Sequence, residues 1–302
     1  MKFLAKSLLL ILFAASLVAC DGNSRPTRKQ IEKMEQIARE IFTEQEPERE
    51  VVANPAPSKE QPAPEITETS AGITALEIPV LPSDTPEELI PHLGYTTSHN
   101  YRTRIPNWVA WELTAHEAAG DVPRAKKFTP DPMCKSAQAA DHDYRNSGYD
   151  RGHMAPAGDM KWSERAMEES FYFTNICPQN RNLNRGDWKD LEEKCRSLAA
   201  RYDTLWIVCG PIVGEARQGR IGSNRVVVPD AFYKVLLIRH KGKYHGIGFY
   251  FENAAGSRNL SYYARTIDEI EAMTGIDFYP ALPDEIEAQV ESGKDLRIWQ
   301  IN

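Results

Sequence analysis

The sequence TLWIVCGPI at residues 204–212 is the first of several apolar segments from which the architecture can be predicted. It is typical of a buried strand that ends at a Gly-Pro pair. Further strands are predicted at 225–229, 232–238 and 243–251, because these runs are short and rich in β-branched and aromatic residues. Together these segments predict a sheet at the centre of the folded unit.

Helices and one more strand are predicted around these segments. Residues 188–202 carry apolar side chains at helical spacing, and 266–274 and 282–290 each open with a capping pattern. A helix is also predicted at 161–173, followed by a strand over 171–176. We therefore predict an α+β fold with a mixed, mainly antiparallel central sheet and flanking helices.

The first 19 residues are typical of a bacterial lipoprotein signal peptide. Lys2 and Lys6 precede the apolar run LLLILF at 8–13, which is too short to span a bilayer of about 30 Å. The residues LVAC at 17–20 resemble a lipobox, which implies cleavage before Cys20 and attachment of lipid to its thiol. We therefore expect an exported lipoprotein anchored to a bacterial membrane, periplasmic or at the cell surface. A simple secreted protein is the alternative.

Residues 20–91 are expected to form a mostly disordered linker that gives the anchored domain reach. They contain few large apolar residues and many Pro, Glu, Thr and Ser, a composition that cannot bury enough surface to fold. The spacing of apolar residues predicts one short helix at 28–42. The folded domain is predicted to span 92–302.

Export also changes how the remaining cysteines are interpreted. With Cys20 lipidated, an even number is left in an oxidising compartment, so one or two disulfides are predicted without a definite pairing. A zinc site is disfavoured because no two of these cysteines have C-x-x-C spacing. The four are Cys134, Cys177, Cys195 and Cys209.

The chain is acidic, with a formal net charge of −7 and a pI of about 5.6. Proteins that bind nucleic acids usually have a basic face, so this balance counts against such a partner. The argument is weak, since an enzyme that must release a polyanionic substrate needs only a local cluster of arginines and a metal ion.

The sequence YDRGHMAP at residues 149–156 is the first of two motifs that carry chemistry. It places Arg151, the flexible Gly152 and His153 in succession, so a cation and a group that titrates near neutral pH share one short piece of backbone. Such a combination suits phosphate chemistry. Taken alone, it is also typical of a turn with a solvated histidine.

The second motif, NICPQNRNLNRGDW, occupies residues 175–188. Asn184 and Gln179 offer neutral oxygen ligands for a hard divalent cation. The helix predicted to follow carries Glu192 and Arg196 one turn apart. Taken alone, Asn184 is equally suited to cap a helix, and Glu192 with Arg196 to form an ordinary surface pair.

With these motifs in this order, the chain resembles the DNA/RNA non-specific endonuclease family, which includes the Serratia-type nucleases and endonuclease G and belongs to the ββα-metal class. The resemblance leaves the N-terminal third without a counterpart. It rests on the Asp-Arg-Gly-His tetrad, Asn184, Trp188, Glu192 and the segments 206–211, 228–234 and 271–278.

The resemblance implies a ββα-metal active-site motif and a Mg²⁺-dependent endonuclease, with Mn²⁺ as a substitute, that acts on DNA and RNA. His153 would be the general base toward water, Asn184 the sole direct protein ligand of the ion, and Arg151 a phosphate ligand. Glu192 would orient metal-bound water, and Arg196 would either pair with Glu192 or help to hold the phosphate.

An upstream arginine of the family has three competing counterparts here, Arg124, Lys126 and Lys127, and a lysine would lose the bidentate grip on phosphate. Asp187 would either repel phosphate or face solvent. Two alternatives to the nuclease stay open: a phosphodiesterase that acts on another substrate, and a surface lipoprotein that binds nucleic acid without catalysis. The second is disfavoured, because binding alone needs neither a base nor a metal ligand.

Overall fold

A computed structural model describes residues 75–215 and 217–301. Its strands in chain order are β1 (Glu88–Pro91), β2 (Thr96–Asn100), β3 (Ile105–Thr114), β4 (Asp150–His153), β5 (Ile176–Gln179), β6 (Thr204–Ile212), β7 (Arg220–Ile221), β8 (Val226–Val227), β9 (Ala231–His240), β10 (Lys243–Glu252) and β11 (Ala264–Arg265). Seven of them form one sheet in the order β1-β2-β3-β6-β9-β10-β11, and every neighbouring pair in it is antiparallel. The predicted α+β class with a mainly antiparallel central sheet is confirmed.

The helices lie on both faces of this sheet. They are α1 (Ala115–Ala118), α2 (Asp141–Tyr144), α3 (Glu164–Glu169), α4 (Arg181–Arg185), α5 (Asp187–Tyr202), α6 (Leu260–Tyr263), α7 (Ile267–Thr274) and α8 (Asp284–Glu291). The helix predicted at 188–202 is confirmed, and the one predicted at 266–274 begins at the capping box between Thr266 and Glu269.

Two local predictions need correction. The helix predicted at 161–173 is only the six residues of α3, and the strand predicted at 171–176 is a 3₁₀ turn, Phe173–Asn175, that leads into β5. The turn forms because the backbone of Phe173 donates to Thr129 O at 3.1 Å, while the Phe173 ring packs in the core. Aromatic residues therefore gave a strand-like pattern to a segment that is buried in another conformation.

Strand β9 shows why the sheet needs helices on both faces. Leu236 and Ile238 pack in the cluster that contains the apolar face of α5, whereas Val235 and Leu237 pack with α7 and α8. Successive side chains of a strand point to opposite faces, so a continuous apolar run requires cover on both.

The folded unit begins earlier than the predicted boundary at residue 92. Leu76 is buried, Val80 exchanges backbone hydrogen bonds with Asp277 at 2.9 Å, and β1 pairs with β2. Only a few apolar residues, separated by prolines, make these contacts. The composition of the segment is therefore that of a linker even though the segment is folded. The rest of that linker, the signal peptide, Cys20 and the helix at 28–42 lie outside the described residues.

The predicted disulfides are absent from the described residues, where all four cysteines are free. Cys177, Cys195 and Cys209 are buried and pack in the core as small apolar side chains. Burial raises the pKa of the Cys195 thiol to about 12, which keeps it protonated and unreactive. None of the helices in the described part of the chain combines the length and apolar character that a membrane span requires.

Candidate active site

The two sequence motifs meet in a small two-stranded sheet, here called the β4–β5 hairpin, outside the large sheet. Strand β4 holds the Asp-Arg-Gly-His tetrad and pairs antiparallel with β5, which leads directly into α4 and α5. The hairpin is fastened by the buried Asn253, whose Oδ1 accepts from the Asn180 backbone at 2.7 Å and whose Nδ2 donates to Pro178 O at 3.1 Å. Two strands followed by a helix therefore bring the tetrad next to the residues of the second motif.

Asp150 fixes the orientation of α4 against β4. Its carboxylate accepts hydrogen bonds from Arg185 Nε at 2.9 Å, Arg181 Nε at 3.2 Å and Asn184 Nδ2 at 3.3 Å. Burial alone would raise the pKa of Asp150, but these bonds outweigh it and lower the pKa. The ionised carboxylate thus connects the first motif to the second.

His153 lies in an aromatic enclosure and is only 7% exposed. Its ring centroid is 4.8 Å from that of Phe171 and 5.3 Å from that of Phe128. Burial, with a smaller contribution from the positive charge of Arg124, lowers the pKa of His153 to about 3. Its Nε2 is buried and has no hydrogen-bond partner among the described residues, so a neutral imidazole nitrogen is available to receive a proton.

The depressed pKa of His153 predicts a specific loss of stability in acid. The unfolded chain binds this proton near pH 6.5 and the folded chain only near pH 3, so the stabilisation is complete above 6.5 and decreases as pH falls. Between pH 8 and pH 5, we expect the wild type to lose about 2 kcal/mol more free energy of unfolding than His153→Gln. Urea denaturation at both pH values measures the difference. The exposed His116→Gln should follow the wild type, and parallel curves for the wild type and His153→Gln would show that the histidine is not desolvated.

Of the three basic residues upstream, Arg124 reaches the site. Its guanidinium carbon lies 5.1 Å from the ring centroid of Phe171, and its charge acts on both His153 and Glu192. Lys126 and Lys127 are exposed and contribute to neither pKa. The arginine is the side chain that can hold phosphate with a planar, bidentate group.

Arg151 is oriented by α2 and by aromatic rings. Its Nη2 lies 2.7 Å from Asp141 Oδ1, and its guanidinium carbon is 5.6 Å from the Phe128 ring centroid and 5.5 Å from that of Tyr144. The Asp141 carboxylate is half exposed, so a phosphate can compete with it for the arginine.

Asn184 has the free oxygen that a metal ligand requires. It is the fourth residue of α4 and does not cap a helix, because the Asn180 side chain caps α4. Its amide nitrogen is bound to Asp150, whereas its Oδ1 accepts no hydrogen bond from the described residues. A neutral carbonyl oxygen suits a hard divalent cation such as Mg²⁺, which keeps most of its waters when it binds a protein.

Glu192 and Arg196 do not form the pair that their spacing suggested. Arg196 Nη1 donates to Asp159 Oδ1 at 2.8 Å, and Asp159 Oδ2 accepts from Trp111 Nε1 at 3.2 Å. Glu192 has a pKa raised to about 7 by burial, with the charge of Lys234 opposing the rise. The Glu192 carboxylate therefore titrates close to neutral pH and lies one helical turn from Arg196, which Asp159 holds in place.

Lys234 is a buried cation in the same region. Its ammonium lies 4.5 Å from the ring centroid of Trp188 and 5.2 Å from that of Trp111, without a hydrogen-bond partner among the described residues. Cation–π attraction from two indole faces stabilises it there. It contributes a fixed positive charge toward Glu192 and Asp159.

Gly152 is required by the close approach of Gln179 from β5. A Cβ at this position would lie 2.6 Å from Gln179 Cβ and would collide with its Oε1. Both amide atoms of Gln179 are buried without a hydrogen-bond partner among the described residues, as expected of a group that faces a bound water or ion.

Gly152→Ala is therefore expected to lower the free energy of unfolding by about 1–3 kcal/mol, because the added methyl must push β4 away from β5. Urea denaturation would measure this loss. Gly293→Ala is the matched control, since its Cβ would come no closer than 3.3 Å to another atom. Equal stability of the two variants would mean that Gln179 moves aside freely.

Asp187 does not face solvent. It is buried and accepts a hydrogen bond from the Tyr263 hydroxyl and another from the Arg258 backbone at 3.4 Å. Its role is to attach the start of α5 to α6. The sequence also gave no signal for the contacts of Asp141, Asp159 and Phe128, since acids and aromatics without a recurring spacing do not indicate which partner they meet.

Two antiparallel strands followed by helices, with a buried histidine on the first strand and Asn184 after the second, form the arrangement that the resemblance to DNA/RNA non-specific endonucleases implied. A family model described as DNA/RNA non-specific endonuclease matches residues 74–285. The chain belongs to the DNA/RNA non-specific endonuclease family.

Individual relatives agree with this assignment. The chain is 36% identical over 207 residues to the mitochondrial nuclease EXOG of Xenopus laevis, covering 63% of this chain and 58% of that protein. It is 30% identical over 251 residues to a nuclease of the cyanobacterium Nostoc, covering 77% and 90% respectively. A crystal structure of EndoG in complex with EndoGI is similar with a TM-score of 0.62 and 30% identity, covering 66% of this chain and 89% of the EndoG chain. The match thus spans little more than half the length of the EXOG relative.

Proposed function

We propose that the chain is a metal-dependent endonuclease that hydrolyses phosphodiester bonds of DNA and RNA with little sequence preference. The observation that carries the proposal is the unpartnered, buried Nε2 of His153 on a hairpin that also orients Asn184 through Asp150. Membership of the family supports the same reading.

His153 is proposed as the general base. Its neutral Nε2 would accept a proton from the water that attacks phosphorus. A pKa of about 3 describes the ligand-free protein, in which the imidazole is desolvated beside Arg124. A bound phosphate brings negative charge to this enclosure, which raises the pKa and strengthens the base when substrate is present.

The phosphate would be held by Arg151 and Arg124, both of which lie against the aromatic rings that enclose His153. Arg196, held in place by Asp159, would add positive charge near Glu192. Asn184 would bind Mg²⁺, or Mn²⁺ in its place, and Glu192 would orient water around the ion. When bound, the ion supplies charge neutralisation at the departing 3′ oxygen.

The proposal is tested with the purified protein, closed circular plasmid DNA and a structured RNA, in Mg²⁺, Mn²⁺ or excess EDTA. Fragmentation of both polymers that requires the metal is the expected result. Intact circles under all conditions would contradict it. Turnover of a small phosphodiester would then favour a different substrate, and binding without turnover would favour a non-catalytic surface lipoprotein.

We also propose that the protein is exported and attached to a bacterial membrane through lipid on Cys20. The support is the charged start, short apolar run and lipobox-like residues of the N-terminus. Labelling of cells with an alkyne fatty acid should mark the wild type and not Cys20→Ser. Equal labelling of both would exclude this anchor.

A further inference from the structure

Four arginines gather where two turns meet beside the active site. The hairpin β7–β8 packs on the turn between β2 and β3, with the Val227 backbone donating to Thr103 O at 3.0 Å. This contact creates an arginine surface formed by Arg102, Arg104, Arg220 and Arg225. The Arg220 side chain links the two turns, because its Nη1 donates to Arg225 O at 2.9 Å and to Arg102 O at 3.3 Å.

These arginines lack the acidic partners that others in the protein have. Arg181 and Arg185 share Asp150, and Arg196 has Asp159. No arginine of the arginine surface forms an ion pair with a residue in 75–215 or 217–301, and three of the four are exposed. In a chain with a net charge of −7, such a group is a local positive surface.

The backbone at two of these positions does not favour arginine. Arg104 and Arg225 have φ values of 66° and 55°, in the left-handed region that glycine or asparagine occupies most easily. A residue with a long side chain costs roughly 1 kcal/mol or more there. The Arg104 side chain donates from Nε to Tyr101 O at 3.1 Å within its own turn. The Arg225 side chain donates no hydrogen bond to the described residues, so its turn does not explain the charge, whereas a ligand that needs this charge does.

Helix α2 joins the arginine surface to the phosphate-binding side of the active site. On one side Asp141 pairs with Arg151 at 2.7 Å. On the other, His142 Nε2 lies 2.9 Å from Ser223 Oγ, and Asp143 Oδ1 accepts from the Asn224 backbone at 2.9 Å. A single helical turn therefore separates Arg151 from the β7–β8 hairpin.

We propose that the arginine surface binds backbone phosphates of the nucleic acid on one side of the bond that is cut. The inference rests on the proposed nuclease function and adds to it a second contact region for long substrates. Guanidinium groups are suited to this task because their planar donors match phosphate oxygens without reading the bases. Binding of this kind supports cleavage without strict sequence preference.

The test uses Arg102→Gln/Arg225→Gln in a His153→Ala background, which prevents cleavage during the measurement. The Arg102 and Arg225 side chains donate none of the hydrogen bonds that hold the turns, since only their backbone oxygens take part, so the fold should be unchanged. Each lost phosphate contact lowers the slope of log K against log salt by about 0.9 and the affinity about fivefold at 0.15 M salt. We therefore expect binding of a labelled duplex of about 30 base pairs to weaken roughly thirtyfold, with a slope smaller by about 2.

A matched control removes the same charge from the opposite end of β9. Arg239→Gln/Lys243→Gln changes the end of β9 and the start of β10, where the two strands are joined by a turn. This end of β9 is about 30 Å along the strand from its first residue, Ala231, which follows the β7–β8 hairpin. Its affinity and salt slope should stay near those of the His153→Ala parent. Arg102→Lys/Arg225→Lys keeps the charge and should retain most of the slope of log K against log salt. Thermal melting of this variant and of the glutamine variant verifies that both are folded.

Equal losses in the site variant and the control, or no loss in the site variant, would overturn the inference. The loss is also expected to shrink as the oligonucleotide is shortened. Protein with His153 intact, assayed on the same duplex with Mg²⁺, tests the nuclease function separately. If the duplex is cleaved but binding by the site variant is unchanged, only the proposed role of the arginine surface is contradicted. If the duplex is not cleaved, the proposed nuclease function is contradicted.

Discussion

Replacement of His153 by glutamine is expected to lower kcat on plasmid DNA about a thousandfold, within the range of 10²–10⁴ that general-base catalysis contributes. Glutamine fills a similar volume in the enclosure of Phe128 and Phe171, so substrate binding and fold should change little. It cannot accept a proton from water at neutral pH. The loss should therefore appear in kcat and leave KM close to that of the wild type.

Steady-state kinetics at saturating Mg²⁺ measure this effect, with circular dichroism to verify the fold. The control is His116→Gln, which removes an exposed imidazole on α1 and should keep wild-type kcat. If His153→Gln keeps more than about a tenth of wild-type kcat, the base is another group, since even the smallest general-base contribution exceeds that.

Asn184→Ala is expected to lower kcat/KM by about a hundredfold to a thousandfold, because a divalent ion supplies several kcal/mol of charge stabilisation in the transition state. The structure offers the Asn184 oxygen beside the Asp150 carboxylate, and alanine removes that oxygen. The variant should need a higher Mg²⁺ concentration for half-maximal activity, and excess metal should restore part of the rate.

Calorimetric titration with Mn²⁺, together with kinetics over a range of Mg²⁺ concentrations, measures the change. Asn182→Ala is the matched control, since it removes an exposed amide from the same helix and leaves the Asn180 cap in place. A variant at Asn184 with wild-type metal dependence would contradict the assignment of the ligand.

Much of the fold could be predicted because it depends on local periodicity. Helix α5 carries apolar side chains at helical spacing, whereas β6, β9 and β10 are short runs rich in β-branched and aromatic residues, and all four lie close to where the sequence placed them. The segment 75–91 was missed for the opposite reason. Its few apolar residues are separated by prolines, and only pairing with the rest of the sheet makes their burial favourable.

For the candidate site too, some features could be predicted from local sequence and others depend on contacts between distant residues. The meeting of the motifs that carry His153 and Asn184 could be predicted because their types and order match a known motif, and Asp150 joins the two motifs in the structure. The roles of His153, Asn184 and Glu192 stay predictions. The choice of Arg124 over Lys126 and Lys127 depends on which side chain meets Phe171, a contact between residues nearly fifty positions apart. Arg196 was predicted either to pair with Glu192, its neighbour on the helix, or to help hold the phosphate. Its observed partner is instead Asp159, a buried carboxylate that also accepts a hydrogen bond from Trp111.

The large sheet ends in very short strands, β1 with four residues and β11 with two. Edge strands with free backbone groups are templates on which another chain can extend the sheet, and short ones offer little of that template. The β1 edge is restricted further, because Pro91 lacks an N–H donor and the Glu88 carboxylate accepts from the backbone of Lys135 at 2.7 Å. The edges of the large sheet therefore offer little template for edge-to-edge aggregation when copies of this protein are crowded together.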